Sequence, residues 1–268
     1  MGVEVGDRVT VLAPIGEFYA DVTGWLAEAS QIVEGDRLLA ETVAAVPVPP
    51  TAKVLCVALN YEMHAEESGG QVPDVPNFFA RWWATLVTTG ATVPVPDAEP
   101  GLDWEVELAV VVGETLTAVT AEELRNGARP GAILGYTVFN DLSAREHQRA
   151  TSQWANGKNS DQSGPICSTI VTADALDPGA LHLSTTVNDQ VMQSGTTADM
   201  VHKIPELLAY ASRTITLRPG DLIATGTPAG VGCRRDTPVL LHPGDVVTVE
   251  VEAIGSVQSP IVNASYRH

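Results

Sequence analysis

The chain is poor in basic residues: 15 Lys and Arg stand against 33 Asp and Glu, a formal net charge of −18 over 268 residues. Such a surface repels phosphate backbones and anionic headgroups, so neither nucleic acid nor a membrane is expected as a partner. Cysteine is scarce too. Cys56, Cys167 and Cys233 are odd in number and form no C-x-x-C pair, which argues against a disulfide framework or a zinc site. No apolar run approaches the length that spans a bilayer. Residues 1–7 lack a basic stretch followed by an apolar one, and Gly6 stands where a myristoylation signal has Ser or Thr. A reducing cytoplasm is the expected compartment. Internal repeats and low-complexity tracts are missing. Aromatics make up only 5% of the chain, and four of the fourteen cluster as Phe78, Phe79, Trp82 and Trp83 around Arg81.

What is present suits a sizeable core. The chain is 44% hydrophobic, enough for one large domain with a small attachment. The stiff run Val46-Pro47-Val48-Pro49-Pro50 marks a boundary. Residues 1–50 then form a small N-terminal domain, with short strands at 8–12 and 32–33 and a helix at 20–28, suited to packing or dimer contact. Residues 51–268 form the main domain.

The stretch from Asp103 to Gly113 organises that domain. Its β-branched second half predicts a strand entering a core. Alternation puts Glu105 and Glu107 on one face. Two adjacent carboxylates at the mouth of an apolar strand repel each other and resist desolvation, and a hard divalent cation relieves both penalties. An edge strand with its Glu pair in water is the plain alternative. Upstream, His64 and Glu67 share a helical face at i and i+3, an arrangement that fits a general base or an incidental surface pair. Arg81 reads as stacked in an aromatic corner or as a cation facing a substrate carboxylate. Asp141 follows a strand at 133–139, where it serves as ligand or helix cap. Arg145 and Gln148 are again i and i+3. Lys158 lies in a polar turn, where a lone Lys is more often solvated. A glycine-rich loop at 225–232, Thr-Gly-Thr-Pro-Ala-Gly-Val-Gly, lets backbone N–H groups approach an anion. It is not a P-loop, because no Gly-Lys-Ser/Thr follows. Thr120 with Glu123 predicts a capping box before a short helix at 121–126.

In this order, Asn60-Tyr61 with His64 and Glu67, then Glu105-x-Glu107, Asn140-Asp141-x-Ser143-Ala144-Arg145, Gly157-Lys158 and the 225–232 loop closely resemble the fumarylacetoacetate hydrolase family. The resemblance covers about residues 53–264. It implies a mainly β, α+β fold: a mixed β-sandwich roll with a few short helices, usually a homodimer, holding one divalent metal, typically Mg²⁺, with Mn²⁺ or Ca²⁺ also suited to oxygen ligands. On the resemblance, Glu105, Glu107 and Asp141 are the metal ligands. His64 and Glu67 match the catalytic dyad. Lys158, Arg145 and Gln148 match polar residues around the substrate, Thr227 a threonine on the substrate carboxylate or oxyanion, and Arg81 a position where relatives often carry Lys or Arg. Ala58, Glu146 and the segment 159–168 depart from the common pattern.

The expected activity is hydrolytic C–C cleavage of an acylpyruvate or related β-diketo acid such as fumarylpyruvate. In it, His64 activates water, a metal stabilises the departing enolate, and Lys158 stabilises the oxyanion or protonates the leaving carbanion. One alternative uses the same enolate chemistry without water: oxaloacetate decarboxylation or 2-hydroxydienoate tautomerisation. A second is a metal- or ligand-binding scaffold without turnover.

Overall fold

A computed structural model describes residues 1–264. Two sheets carry the main domain. The larger has six strands, in the order Val171–Thr172, Ile133–Asn140, Val106–Val112, Leu222–Ala224, Val54–Ala58 and Asn77–Arg81. The second has five, in the order Gln190–Thr196, His182–Val187, Val246–Val251, Gly255–Asn263 and Val93–Val95. Val106, Leu108 and Val110 share one apolar cluster with Leu183, Val249 and Val257 of the second sheet and with Leu207 and Leu208 of helix Ile204–Ser212. The sheets therefore pack face to face, as in a sandwich. The hairpin predicted at Asn188-Asp189 is present, and both residues have positive φ, as a two-residue hairpin turn requires.

The six-stranded sheet is buried on both faces. Ala109 and Val111 point away from the sandwich core and pack with Cys56, Leu222 and Ala224 against Phe18, Tyr19 and Val22 of the N-terminal region. All seven residues of Val106–Val112 are buried, so this is a central strand and not an edge. Each such aliphatic side chain contributes about 1.5–3 kcal/mol when fully buried, which anchors whatever the strand carries at its end.

The first fifty residues have their own three-stranded sheet, Gly2–Val5, Arg8–Val11 and Arg37–Leu38. The strand expected at 32–33 lies instead at Arg37–Leu38. The expected helix is two, Ile15–Ala20 and Val22–Ala29, divided at Asp21, whose side chain accepts from Gly24 N–H. These helices share a core with the large sheet. The Tyr19 hydroxyl donates to Pro47 O and Trp83 Nε1 to Val48 O, pinning the proline-rich connector. Among the described residues, no helix is long and apolar enough to cross a membrane.

Candidate active site

Strands Val54–Ala58 and Leu222–Ala224 run parallel, so both deliver their following loops to one end of the sheet. Val106–Val112 runs antiparallel to Leu222–Ala224, so it begins at that same end, and Ile133–Asn140 finishes there. Four segments thus converge. The strand register sets Val106 opposite Asn140 and Glu107 opposite Phe139, which leaves Asp141 beside the two glutamates. Ligand oxygens of Glu105, Glu107 and Asp141 all lie within 4.8 Å of one another, and all three residues are buried. The alternative helix-cap role of Asp141 is not realised, since the next helix, Arg145–Arg149, starts after Ala144.

Three cations surround these carboxylates. Lys158 Nζ sits 2.7 Å from Glu105 Oε2 and 2.6 Å from Asp141 Oδ2. It is 1% exposed, contrary to the solvated lysine that its polar turn suggested. That turn is a short helix, Ala155–Lys158, fastened to strand Asn77–Arg81 by Asn159, whose Oδ1 accepts from Trp82 N–H at 2.6 Å. Arg145 Nε donates to Asp103 Oδ2 at 2.8 Å, its second terminal nitrogen lies 2.6 Å from Glu105 Oε1, and Nη1 donates to Gln148 Oε1 at 2.9 Å. The Arg81 guanidinium is bound to Asp141, Ser163 Oγ and Leu142 O. Its side chain has no exposed surface. The expectation of Arg81 as a substrate contact is therefore corrected: its donors are spent on holding Asp141 from behind, and its guanidinium lies over the Phe139 ring, 5.6 Å from the centroid.

Electrostatics distinguish the carboxylates. Burial opposes the charge of Glu105, but Lys158 and Arg145 outweigh it and hold its carboxyl at about 2. Burial likewise opposes the charge on Lys158, and Asp141 and Glu105 reverse that effect and raise it. Glu107 is pushed well above the usual carboxylate range, by burial first and then by Asp141 and Glu105. Its one hydrogen bond is from Gly226 N–H to Oε2 at 2.8 Å, and among the described residues it has no ion pair. An all-oxygen set with one carboxylate lacking a countercharge fits a hard divalent cation.

The glycine-rich loop reaches an anion, as predicted, but the anions are the protein's own. Gly226 N–H donates to Glu107, Gly230 N–H to Glu67 Oε2 at 2.9 Å, and Gly232 N–H to Asp103 Oδ1 at 2.7 Å. Gly230 has φ +106°, and a Cβ there would meet Met192 O at 2.7 Å. Across from the loop, His64 Nδ1 lies 2.7 Å from Glu67 Oε1, both on helix Glu62–Glu67. Leu59 takes a left-handed φ of 55° to turn the chain from strand to helix, a strain of about 1–2 kcal/mol. Asn60 offsets it by bridging Thr225 O, His202 O and His202 N–H.

Together these groups enclose a cavity of about 320 Å³. Glu105, Glu107 and Lys158 are at its floor; His64, Phe79, Arg145, Gln148, Trp154 and Thr227 line its walls. Thr227 Oγ1 accepts from Gln193 Nε2 at 2.9 Å. Two supporting residues escaped the sequence reading. Asp103 has the same strand parity as Glu105 and Glu107, a signal that could have found it. Gln193 is joined to the site by contacts far apart in sequence, and no local pattern marks it. Asn60 was visible in the Asn60-Tyr61 motif, but its bridge to Thr225 and His202 was not.

A cluster of three buried carboxylates under a partly apolar cavity fits a small-molecule site able to hold a divalent cation. The profile of the fumarylacetoacetate hydrolase C-terminal family matches residues 53–262. The human oxaloacetate tautomerase FAHD2A, mitochondrial, is 39% identical over 219 residues, covering 81% of this chain and 68% of that protein. The 2,4-didehydro-3-deoxy-L-rhamnonate hydrolase of Sphingomonas sp. is 36% identical over 226 residues, 83% of this chain and 77% of that one. Among solved structures, 5-carboxymethyl-2-hydroxymuconate delta-isomerase from Mycobacterium smegmatis superposes with a TM-score of 0.73 at 37% identity, covering 85% of each chain. The chain belongs to the fumarylacetoacetate hydrolase family.

Proposed function

We propose that the protein is a divalent-metal-dependent enzyme of 2-oxo acids that interconverts enol and keto forms, as a tautomerase or isomerase. The observation that carries this is the carboxylate floor facing the His64–Glu67 pair across one cavity. The similarity to an oxaloacetate tautomerase and a hydroxymuconate isomerase supports enol–keto chemistry ahead of the hydrolytic cleavage expected from sequence.

Glu105, Glu107 and Asp141 would hold the cation, Mg²⁺ being the one the family resemblance implies, with Mn²⁺ or Ca²⁺ also suited to oxygen ligands. A bound cation supplies Lewis-acid stabilisation of negative charge at the substrate's 2-oxygen. The chain's own residues do the rest. Glu67 orients His64 through Nδ1, and Gly230 N–H fixes Glu67 through its other oxygen. His64 Nε2 is left to take the proton from the enol hydroxyl and return it to carbon 3, or the reverse. The net proton count is unchanged. Lys158 spends two of its three protons on Glu105 and Asp141, and the third stabilises substrate charge. Arg145, Thr227 and Gln148 orient the carboxylate end. Phe79 and Trp154 exclude water. Homodimers are the expected assembly, and three free cysteines suit a reducing compartment.

A second reading is kept because the same dyad suits activation of water and one relative is named a hydrolase. One experiment separates them. Enol-oxaloacetate and acetylpyruvate are followed by ultraviolet absorbance with Mg²⁺ and then EDTA, and products are identified by mass. An isomer of unchanged mass in a Mg²⁺-dependent reaction supports the tautomerase. Pyruvate plus acetate from acetylpyruvate establishes the hydrolase. Inertness toward both, with metal bound, refutes both.

A further inference from the structure

The helix that carries two of the cavity's wall residues lacks a cap of its own. Arg145–Arg149 has five residues, too few to hold together alone, and Ala144 before it has no side-chain oxygen to offer the first amides. Yet Arg145 and Gln148 meet at 2.9 Å and both line the cavity. Their placement depends on something outside the helix.

Glu99 supplies it from far upstream. Its Oε2 accepts from Glu146 N–H at 3.2 Å and its Oε1 from His147 N–H at 2.8 Å. These are the second and third residues of the helix, whose amides a cap normally satisfies. The His147 ring closes on Oε1 through Nδ1. The Glu99 side chain has no exposed surface, whereas that of His147 is 41% exposed. A buried carboxylate is costly unless donors surround it, and these three donors all come from one turn of this helix.

The backbone around Glu99 is fixed in turn. Glu99 N–H donates to Pro96 O at 2.9 Å, and Leu102 exchanges both backbone bonds with Leu241. A Cβ on Gly101 would meet Leu241 O at 2.7 Å. Just beyond, Asp103 holds Arg145 Nε. Two acids four residues apart on one segment thus brace one helix, Asp103 through the guanidinium and Glu99 through the backbone. The brace extends to the Lys158 segment. Ala144 N–H donates to Gly157 O at 2.8 Å, and a Cβ on Gly157 would meet Gln148 N at 2.4 Å.

Resting on the 2-oxo acid reading of the cavity, we infer that Glu99, clasped by His147, is a positioning residue that holds Arg145 and Gln148 at the cavity wall, where they grip the substrate. It acts through the helix and not on the reacting atoms.

The test uses oxalate, whose planar O–C–C–O dianion mimics an enolised 2-oxo acid, on protein saturated with Mg²⁺. Calorimetry reads its affinity, and hydrogen exchange of peptides covering 144–150 and 61–67 reads local order. Glu99→Gln keeps the shape but turns one acceptor oxygen into a donor facing an N–H. It should weaken oxalate about tenfold or more and speed exchange in 144–150 while sparing 61–67. His147→Ala, at a half-exposed position, removes only the ring contact and should give a smaller loss of both kinds. It keeps the proposal falsifiable if Glu99→Gln does not fold. Thr120→Ala, which lowers stability elsewhere, should change neither readout. Oxalate affinity unchanged in the folded variants, or weakened with 144–150 still protected, overturns the positioning role. If wild type binds Mg²⁺ but not oxalate, the 2-oxo acid reading fails instead. Exchange then decides the brace by itself: faster exchange in 144–150 upholds it, and unchanged exchange overturns it.

Discussion

The floor of the cavity and its dyad side are built differently. Glu105, Glu107 and Asp141 stand at the ends of two long strands that pair along their whole length and are buried on both faces. His64 and Glu67 stand on a helix of six residues, too short to hold itself together in water. That helix is tied down by Gly230 N–H on Glu67 and by the Asn60 bridge at its start. A rigid floor keeps mutually repelling carboxylates at ligand spacing, which a loop could not do. A lightly tethered dyad can shift with substrate. Metal binding and proton transfer are therefore separable by mutation.

The largest effect is expected at the floor. Glu107→Gln keeps the shape and the Gly226 bond but removes the charge with no countercharge. It should abolish the Mg²⁺-induced rise in melting temperature and the activity with it. Activity surviving with Mg²⁺ dependence intact would show that Glu107 is no ligand. On the dyad side, His64→Ala should lower kcat by about 10²–10⁴-fold while the Mg²⁺ shift persists. Loss of both together would break the separation between the two sides.

Asp103→Asn probes the layer beneath the floor. Asp103 is held ionised against burial by Arg145 and the Cys233 N–H, and it fixes the guanidinium that touches Glu105. Supporting residues of this kind typically change metal affinity by about 10–100-fold, a loss that Mg²⁺ titration would read. An unchanged affinity would mean that Gln148 and Glu105 alone position Arg145.

Much of this floor was legible in the sequence because strand alternation is a local rule. It put Glu105 and Glu107 on one face, and the strand at Ile133–Asn140 ended where Asp141 was needed. The helix pairs His64–Glu67 and Arg145–Gln148 were legible for the same reason and are in contact. What stayed hidden depends on distant segments. Arg81 looked like a cation for substrate because its aromatic neighbours were visible and Asp141, sixty residues on, was not. Lys158 looked solvated because a turn's polarity does not reveal two carboxylates arriving from other strands. Packing across the proline connector was hidden in the same way: the helices before it share a core with the sheet after it.

The pH dependence of the metal effect follows from Glu107. Its folded value lies well above the ordinary 4.5. The stability this contributes to the metal-free protein is fully present below the unfolded value and is lost as pH rises through the folded one. Cation binding needs the ionised form, so it releases a proton and removes the penalty. The melting-temperature gap between Mg²⁺ and EDTA samples should therefore widen with rising pH. In Glu107→Gln the gap should be absent at every pH.

The smallest effect lies far from both sides and serves as their control. The capping box of helix Ala121–Arg125 is formed: Glu123 N–H donates to Thr120 Oγ1 at 3.2 Å, and Thr120 N–H to Glu123 Oε2 at 2.7 Å. These bonds from Thr120, backbone first, hold the Glu123 carboxyl below its ordinary value. The box therefore contributes above the unfolded value and is lost as pH falls through the folded one. Thr120→Ala should cost about 1 kcal/mol or less, read by urea melting at neutral pH, and the deficit relative to wild type should shrink in acid. Activity and the Mg²⁺ shift should not move. If they did, stability and site would be coupled through helix Ile204–Ser212, against which this helix packs, and no floor or dyad variant could be interpreted without correcting for that coupling.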